Sequence, residues 1–322
     1  MPIGVRGLPV VARDDHRSHL HSRRAGPCWY EITNASVAET LPRMMSEPLS
    51  PPVPGQPRRV QLMAILNVTP DSFSDGGRFL EPDHAVDHAR RLVAEGADLL
   101  DIGAESTRPG FAPVSAEGEL RRLVPVLDKL NEAFGGKLPV PVSVDTTKAA
   151  VADAALARGA TVVNDIRGFQ GDPALPAIVA RHGARAVLMH NRDAIDPGLD
   201  VADELRRFFT RSIAIALTAG VARDDLILDP GIGFGKTHEQ QLAALAGVGR
   251  LKAEFGLPVL VGASRKSFLK RYVGDGAPGR LVGTLAAHLA AAAAGADLLR
   301  VHDVAAHAAA LGVAEAIAGA RA

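Results

Sequence analysis

From Arg58 onward, short apolar runs alternate with longer amphipathic stretches, and this alternation constrains the fold more than any other feature of the 322-residue chain. The apolar runs cover 61–66, 98–102, 140–144, 161–163, 184–189, 226–228, 258–261 and 298–301. Each is short and flanked by Gly, Pro or polar residues, as expected of strands buried on both faces. Helical periodicity fills the intervals at 83–95, 116–134, 147–158, 173–182, 201–219, 238–255 and 279–294, and a last helix runs from Val304 to about Ala318. Eight strand–helix units in roughly 260 residues fit a (β/α)8 TIM barrel, which typically needs about 250. A doubly wound sheet of eight strands is the second choice.

The polar residues favour the barrel. A hydrogen-bonding or charged side chain follows almost every strand: Asn67, Asp101, Asp145, Asn164, His190, Asp229, Ser264 and Arg300. One such residue is commonly just a helix cap. Eight in succession would converge, in a barrel, on the C-terminal rim where these folds place their sites.

Residues 1–57 read differently. They hold nine of the 22 prolines and the single Cys, Cys28, and end in Pro48, Pro51, Pro52, Pro54 and Pro57. This composition predicts a Pro-rich leader, expected to be disordered, ahead of one domain over 58–322. Asp14, Asp15, Glu31 and Glu39 argue against an organelle-targeting peptide. One cysteine allows no internal disulfide and no Cys-based metal cluster, which fits a reducing cytosol. The most apolar stretch, 281–299, is mostly alanine and is interrupted by His288 and Asp297, so no membrane span is expected. With 36 basic against 36 acidic side chains, there is no long-range field to draw in nucleic acid. A soluble cytoplasmic protein with small-molecule ligands is the expectation.

Four strand ends carry chemistry. The loop Asn67-Val68-Thr69-Pro70-Asp71-Ser72-Phe73-Ser74-Asp75-Gly76-Gly77 is polar enough to serve as a lid. Asp101-Ile102-Gly103-Ala104-Glu105-Ser106-Thr107-Arg108-Pro109-Gly110 offers a carboxylate at the strand end and an arginine able to clamp an anion. Asp229-Pro230-Gly231-Ile232-Gly233-Phe234-Gly235-Lys236-Thr237 lacks the glycine spacing of a P-loop, so its glycines read as permitting close backbone approach and Asp229 as a ligand anchor. Ser264-Arg265-Lys266-Ser267 and Arg300-Val301-His302 sit after the seventh and eighth strands, where barrel phosphate sites form, and suit a diphosphate. The inward acids Asp101, Asp145 and Asp229 are costly to bury unless paired. They can serve acid–base catalysis, or grip the N–H edge of a guanidine-like ring together with Asn164. A flat polar heterocycle at one end and a diphosphate at the other would use every group.

In these motifs the sequence resembles the dihydropteroate synthases, the folate-pathway enzymes targeted by sulfonamides. The resemblance spans about residues 60–320 and includes the segments above together with Ser143-Val144-Asp145-Thr146 and Asn164-Asp165-Ile166. It implies a homodimeric, pterin-binding TIM barrel that joins 6-hydroxymethyl-7,8-dihydropterin diphosphate to p-aminobenzoate. The products would be 7,8-dihydropteroate and diphosphate. It also implies roles. Asp145, Asn164, Asp229 and Lys266 would hold the pterin, with Asp101 among the same acids. Asn67, Arg300 and His302 would hold the diphosphate, and Asn67 would also ligate Mg2+. Thr107, Arg108, Pro109, Phe73, Phe234 and Ser267 would surround p-aminobenzoate. Arg300, His302, Lys266 and Asp101 would carry catalysis, by an SN1-like transfer in which the diphosphate leaves early. Ile232 stands where the family often has phenylalanine, and Asn191 where methionine is common; residues 1–57 have no counterpart.

Three other readings compete. A methyltetrahydrofolate-dependent methyltransferase shares the barrel but leaves 264–267 and 300–302 without a purpose. A catalytically silent pterin-binding paralogue would not need Thr107, Arg108 and Ser267. Schiff-base chemistry at Lys266 would be opposed by three nearby acids.

Overall fold

The structure is a computed structural model that describes residues 60–68, 82–105, 113–136 and 138–320. The predicted leader, 1–57, lies outside the described residues. The strands are β1 (Gln61–Asn67), β2 (Leu99–Gly103), β3 (Val142–Asp145), β4 (Val162–Asp165), β5 (Arg185–Met189), β6 (Leu226–Asp229), β7 (Leu260–Val261) and β8 (Leu298–Val301). The helices are α1 (Pro82–Ala94), α2 (Ala116–Ala133), α3 (Ala149–Leu156), α4 (Leu175–His182), α5 (Val201–Thr218), α6 (His238–Ala246), α7 (Val248–Phe255), α8 (Lys270–Val273), α9 (Ala277–Ala293) and α10 (Val304–Gly319). The strands run in the order β6-β5-β4-β3-β2-β1-β8-β7, and every pairing is parallel. A parallel bridge between Leu228 and Val259 joins β6 to the approach of β7 and closes the ring. Strand order without a reversal, plus closure, gives the barrel and excludes the doubly wound sheet.

The helix-to-strand turns repeat. Gly96 and Gly295 end α1 and α9 in the left-handed region, with φ of 100° and 105°. Each is followed by Ala-Asp-Leu-Leu, and the alanine N–H reaches back five residues to a helix carbonyl, 3.0 Å away in both cases. That is the Schellman closure, which glycine permits without a Cβ penalty. The aspartates then cap the neighbouring strands: Asp98 accepts from Leu62 N at 2.7 Å and Asp297 from Val259 N at 2.9 Å. Helix starts are equally local, as in α5, where Asp200 accepts from Ala202 N and Asp203 N. The stretch expected as one helix over 238–255 is two, α6 and α7, meeting at Gly247, whose backbone (φ −83°, ψ 0°) leaves the helical region.

Burial separates two apolar layers. A large cluster fills the space between strands and helices. Inside the barrel, Met63, Leu99, Val162, Val187, Ile227, Leu260 and Leu298 form a separate plug. Side chains on a strand alternate in direction, so the residue two positions on faces the same way. Two positions beyond Leu99, Val162, Ile227 and Leu298 stand Asp101, Asn164, Asp229 and Arg300. The apolar plug is thus the floor on which a polar layer rests.

Candidate active site

At the centre of that polar layer is Arg300. Its Nε donates to Asp101 Oδ2 at 2.6 Å, and a terminal nitrogen donates to Asp145 Oδ2 at 2.7 Å. Asn164 Nδ2 donates to the same Asp101 oxygen at 3.0 Å. One guanidinium therefore ties β8 to β2 and β3 in the planar fork that arginine provides. Burial works against the Arg300 charge, but Asp101 and Asp145 outweigh it and hold the group more firmly protonated than usual. Asp145 is pushed up to about 7, first by burial, with Asp101 adding to the shift and Arg300 opposing it. Asp229 is pushed up to about 6 by burial, against the pull of Gly231 N, Lys266 and Arg300.

Three acceptors in this layer have no hydrogen-bond partner among the described residues: Asp101 Oδ1, Asp145 Oδ1 and Asn164 Oδ1. Ser143 Oγ is a fourth buried polar atom in the same state. Unmet buried acceptors are expensive, and a bound molecule that meets them must present N–H or O–H donors. Gly103 makes room here: a Cβ on it would stand 3.4 Å from Asp145 Cβ and 3.7 Å from Asn67 Oδ1. Asp165, next to Asn164, turns away and accepts from Arg167 N (2.8 Å) and Phe169 N (2.7 Å), fixing the turn that follows β4.

Toward the outer rim, Ser264 Oγ and His302 Nδ1 lie 2.9 Å apart, and His302 N donates to the same hydroxyl at 3.3 Å. The hydroxyl keeps a proton and a second lone pair for the Nδ1 contact. Lys266 Nζ sits 4.1 Å above the centre of the Phe234 ring, a cation–π contact that joins the β6 and β7 loops. Ser267 is exposed at the start of a short 3-10 turn.

Not every rim residue faces the site. His190 is fully buried and packs edge-on against Phe208 of α5. Met189 takes the inward position on β5, so alternation sends His190 behind the barrel wall. Arg265, by contrast, lines one cavity with Asn67 and His302; its backbone is left-handed (φ 57°) and it gives both prongs to Asp303, at 3.1 and 2.6 Å. Ile232 is buried in the main apolar cluster, and Asn191 is partly exposed. Phe73, Thr107, Arg108 and Pro109 lie outside the described residues. Sequence reasoning assigned no role to Ser143, which shows only as a serine in an apolar strand, or to Lys236.

A sequence pattern described as "pterin binding enzyme" matches residues 63–302. The dihydropteroate synthase of Clostridium beijerinckii is 43% identical over 247 residues, covering 76% of this chain and 90% of that one. The type-2 dihydropteroate synthase of Escherichia coli is 46% identical over 253 residues, or 75% of this chain and 90% of its own length. The chain belongs to the dihydropteroate synthase family. Solved structures agree. FolP, a dihydropteroate synthase from Clostridium difficile crystallised in the presence of pteroic acid, has a TM-score of 0.76 at 42% identity, covering 80% of this chain and 97% of that one. The Xanthomonas albilineans dihydropteroate synthase with 4-aminobenzoic acid has a TM-score of 0.75 at 46% identity, over 80% and 93% of the two chains.

Proposed function

We propose that this family member condenses 6-hydroxymethyl-7,8-dihydropterin diphosphate with p-aminobenzoate, giving 7,8-dihydropteroate and diphosphate for folate biosynthesis. The observation that carries the reading is the set of orphaned acceptors on Asp101, Asp145 and Asn164. A pterin presents a row of N–H donors on a flat ring edge, and these acceptors line the floor it would rest on. Asp145, Asn164, Asp229 and Lys266 hold the ring. Phe234, Ser267, Thr107, Arg108, Pro109 and Phe73 surround the aminobenzoate.

Asn67, His302 and Arg300 receive the diphosphate. Among the described residues no group of three or more His, Cys, Asp or Glu side chains could hold a metal ion. Among the described residues, the donor at this end is the amide oxygen Asn67 Oδ1, near Asp145 across Gly103. That donor fits a hard cation such as Mg2+, which Asn67 would help to hold beside the diphosphate. When bound, Mg2+ offsets negative charge on the departing diphosphate. The Arg300 guanidinium, with the His302 imidazole beside it on the rim, stabilises that same charge. The aniline nitrogen is a weak nucleophile, so departure leads and the transfer is SN1-like. The electron-rich dihydropterin delocalises the methylene cation, and Asp101, Asp145 and Asp229 favour it electrostatically.

The reading includes a homodimer. Val282 of α9 is 62% exposed, and Val313 and Ile317 of α10 are 63% and 54% exposed, an apolar surface on neighbouring helices. It also includes a cytoplasmic location, supported by the single cysteine, Cys28. No described helix is long and apolar enough to cross a membrane. Purified protein given both substrates and Mg2+ should accumulate dihydropteroate, resolved by chromatography. Pterin binding without product would contradict the reading.

A further inference from the structure

Behind the site, Lys236 is 4% exposed and its ammonium meets three neutral acceptors. Nζ lies 2.6 Å from His190 Nδ1, 2.9 Å from Gly231 O and 3.2 Å from Phe234 O. An ammonium has three protons to donate, and this cradle takes all of them. Because His190 Nδ1 accepts, its ring proton sits on Nε2, which lies 3.5 Å from Glu204 Oε1. The loop drawn around Lys236 is tightly confined. A Cβ on Gly231 (φ 65°) would stand 1.8 Å from His190 O, and one on Gly235 (φ 57°) would stand 2.5 Å from Arg192 O. On its other side, a Cβ on Gly233 would stand 2.9 Å from Lys266 Cδ. The loop is thus packed closely against its neighbours, with Phe234 under the Lys266 ammonium.

We propose that Lys236 is a positioning residue for the aminobenzoate end of the site: its ammonium gathers the carbonyls of Gly231 and Phe234 and so sets the Phe234 ring beneath Lys266. The identity of the ligand rests on the function proposed above. A neutral amine has only two N–H bonds and turns a lone pair toward His190 Nδ1, so it cannot hold the same three acceptors. Burial, the largest influence, pulls Lys236 down to about 7, with Lys266 and Arg192 adding to the shift and Asp229 and Glu204 opposing it. His190, pushed down to about 3 by burial and by Lys236 and Arg192, stays a neutral acceptor throughout. Asp229, at about 6, is ionised before Lys236 loses its proton.

The experiment measures KM for p-aminobenzoate, kcat and the dihydropterin dissociation constant between about pH 6.5 and 8.5. For the wild type, KM for p-aminobenzoate climbs with pH, while the pterin constant moves the other way and tightens as Asp145, at about 7, ionises. Lys236→Met keeps the apolar stem and removes the donors, so at pH 6.5 its KM is raised about tenfold or more, the scale of a lost charged hydrogen bond. Its kcat and pterin constant stay within about threefold, and its KM no longer responds to pH. Phe234→Leu covers a Lys236 variant that fails to fold: with Lys236 intact but the ring gone, KM is high and flat with pH. An unchanged KM in Lys236→Met, or the wild-type climb persisting in either variant, would overturn the proposal while leaving the activity intact. Wild type that forms no dihydropteroate at any pH would overturn both.

Discussion

Arg300 and Asp101 stand 199 positions apart in the sequence and meet at 2.6 Å in the barrel. The contact holds Arg300 against Asp101 and Asp145, two positions before His302 of the rim pair. Arg300→Ala should therefore lower kcat by at least about 100-fold, the usual scale for removing a charge-stabilising donor. Pterin affinity should fall far less than turnover: Asp145 loses its Arg300 partner, but Asn164 and Asp229 keep theirs, Asp101 Oδ2 and Gly231 N. Stopped-flow turnover beside equilibrium pterin titration checks this. Equal losses in both would remove Arg300 from leaving-group stabilisation.

Asp145 is aimed differently. Its Oδ1 has no partner among the described residues, and its Oδ2 is held by Arg300. Asp145→Asn keeps the shape but replaces a charged acceptor by a neutral one. Calorimetry with the dihydropterin should show affinity weakened by about 10- to 100-fold, as for a charge-assisted hydrogen bond lost in a buried site. Retained affinity would mean that the ring binds elsewhere.

Buried carboxylates also leave a mark on stability. Asp229 sits at about 6 in the fold, above its ordinary 3.8. The folded chain then holds a proton that the unfolded chain has released, so its contribution is present below about pH 4 and is lost as pH rises to about 6. The whole-protein curve does not isolate this, because buried His190 and His288, both pulled down to about 3 by burial, run the other way. The difference between Asp229→Asn and wild type does. Without ligand, the variant should gain on the wild type from about pH 4 to 6 and then stay level, as read from urea midpoints. A difference that is flat with pH would contradict the shift.

Lys148 bridges two acids, Glu105 and the fully buried Glu119, the latter at 2.9 Å. Glu105 also accepts from Val114 N at 2.8 Å, across the segment that carries Thr107, Arg108 and Pro109. Lys148→Met would leave Glu119 buried without its counter-charge, costing about 3–5 kcal/mol. Adding Glu119→Gln should restore most of that. Chemical denaturation of the single and double variants checks the pairing.

Most of the barrel was legible because each strand is short, apolar and closed by Gly, Pro or a polar residue. Those marks place strand ends within about two residues. The polar rim followed from them, and so did Asp101, Asp145, Asn164, Asp229 and Arg300. What escaped depends on direction and on partners distant in sequence. His190 follows a strand as Asp229 does, yet Met189 holds the inward position and His190 turns outward. Arg265 lines the cavity with His302 as its cationic motif suggests, but its partner Asp303, 38 positions on, shows only in the fold. Lys236 follows a glycine-rich loop whose chemistry suggested close approach, while its three acceptors come from positions 190, 231 and 234. Nor does the residue pattern mark Gly247 as the point where one helix becomes two.

Diphosphate release separates a synthase from a protein that only binds pterin. Purified protein with dihydropterin diphosphate and Mg2+ is followed with and without p-aminobenzoate. Release should depend on p-aminobenzoate and match the dihydropteroate formed, mole for mole. No release from a protein that still binds the pterin would contradict it and point to a silent pterin-binding paralogue.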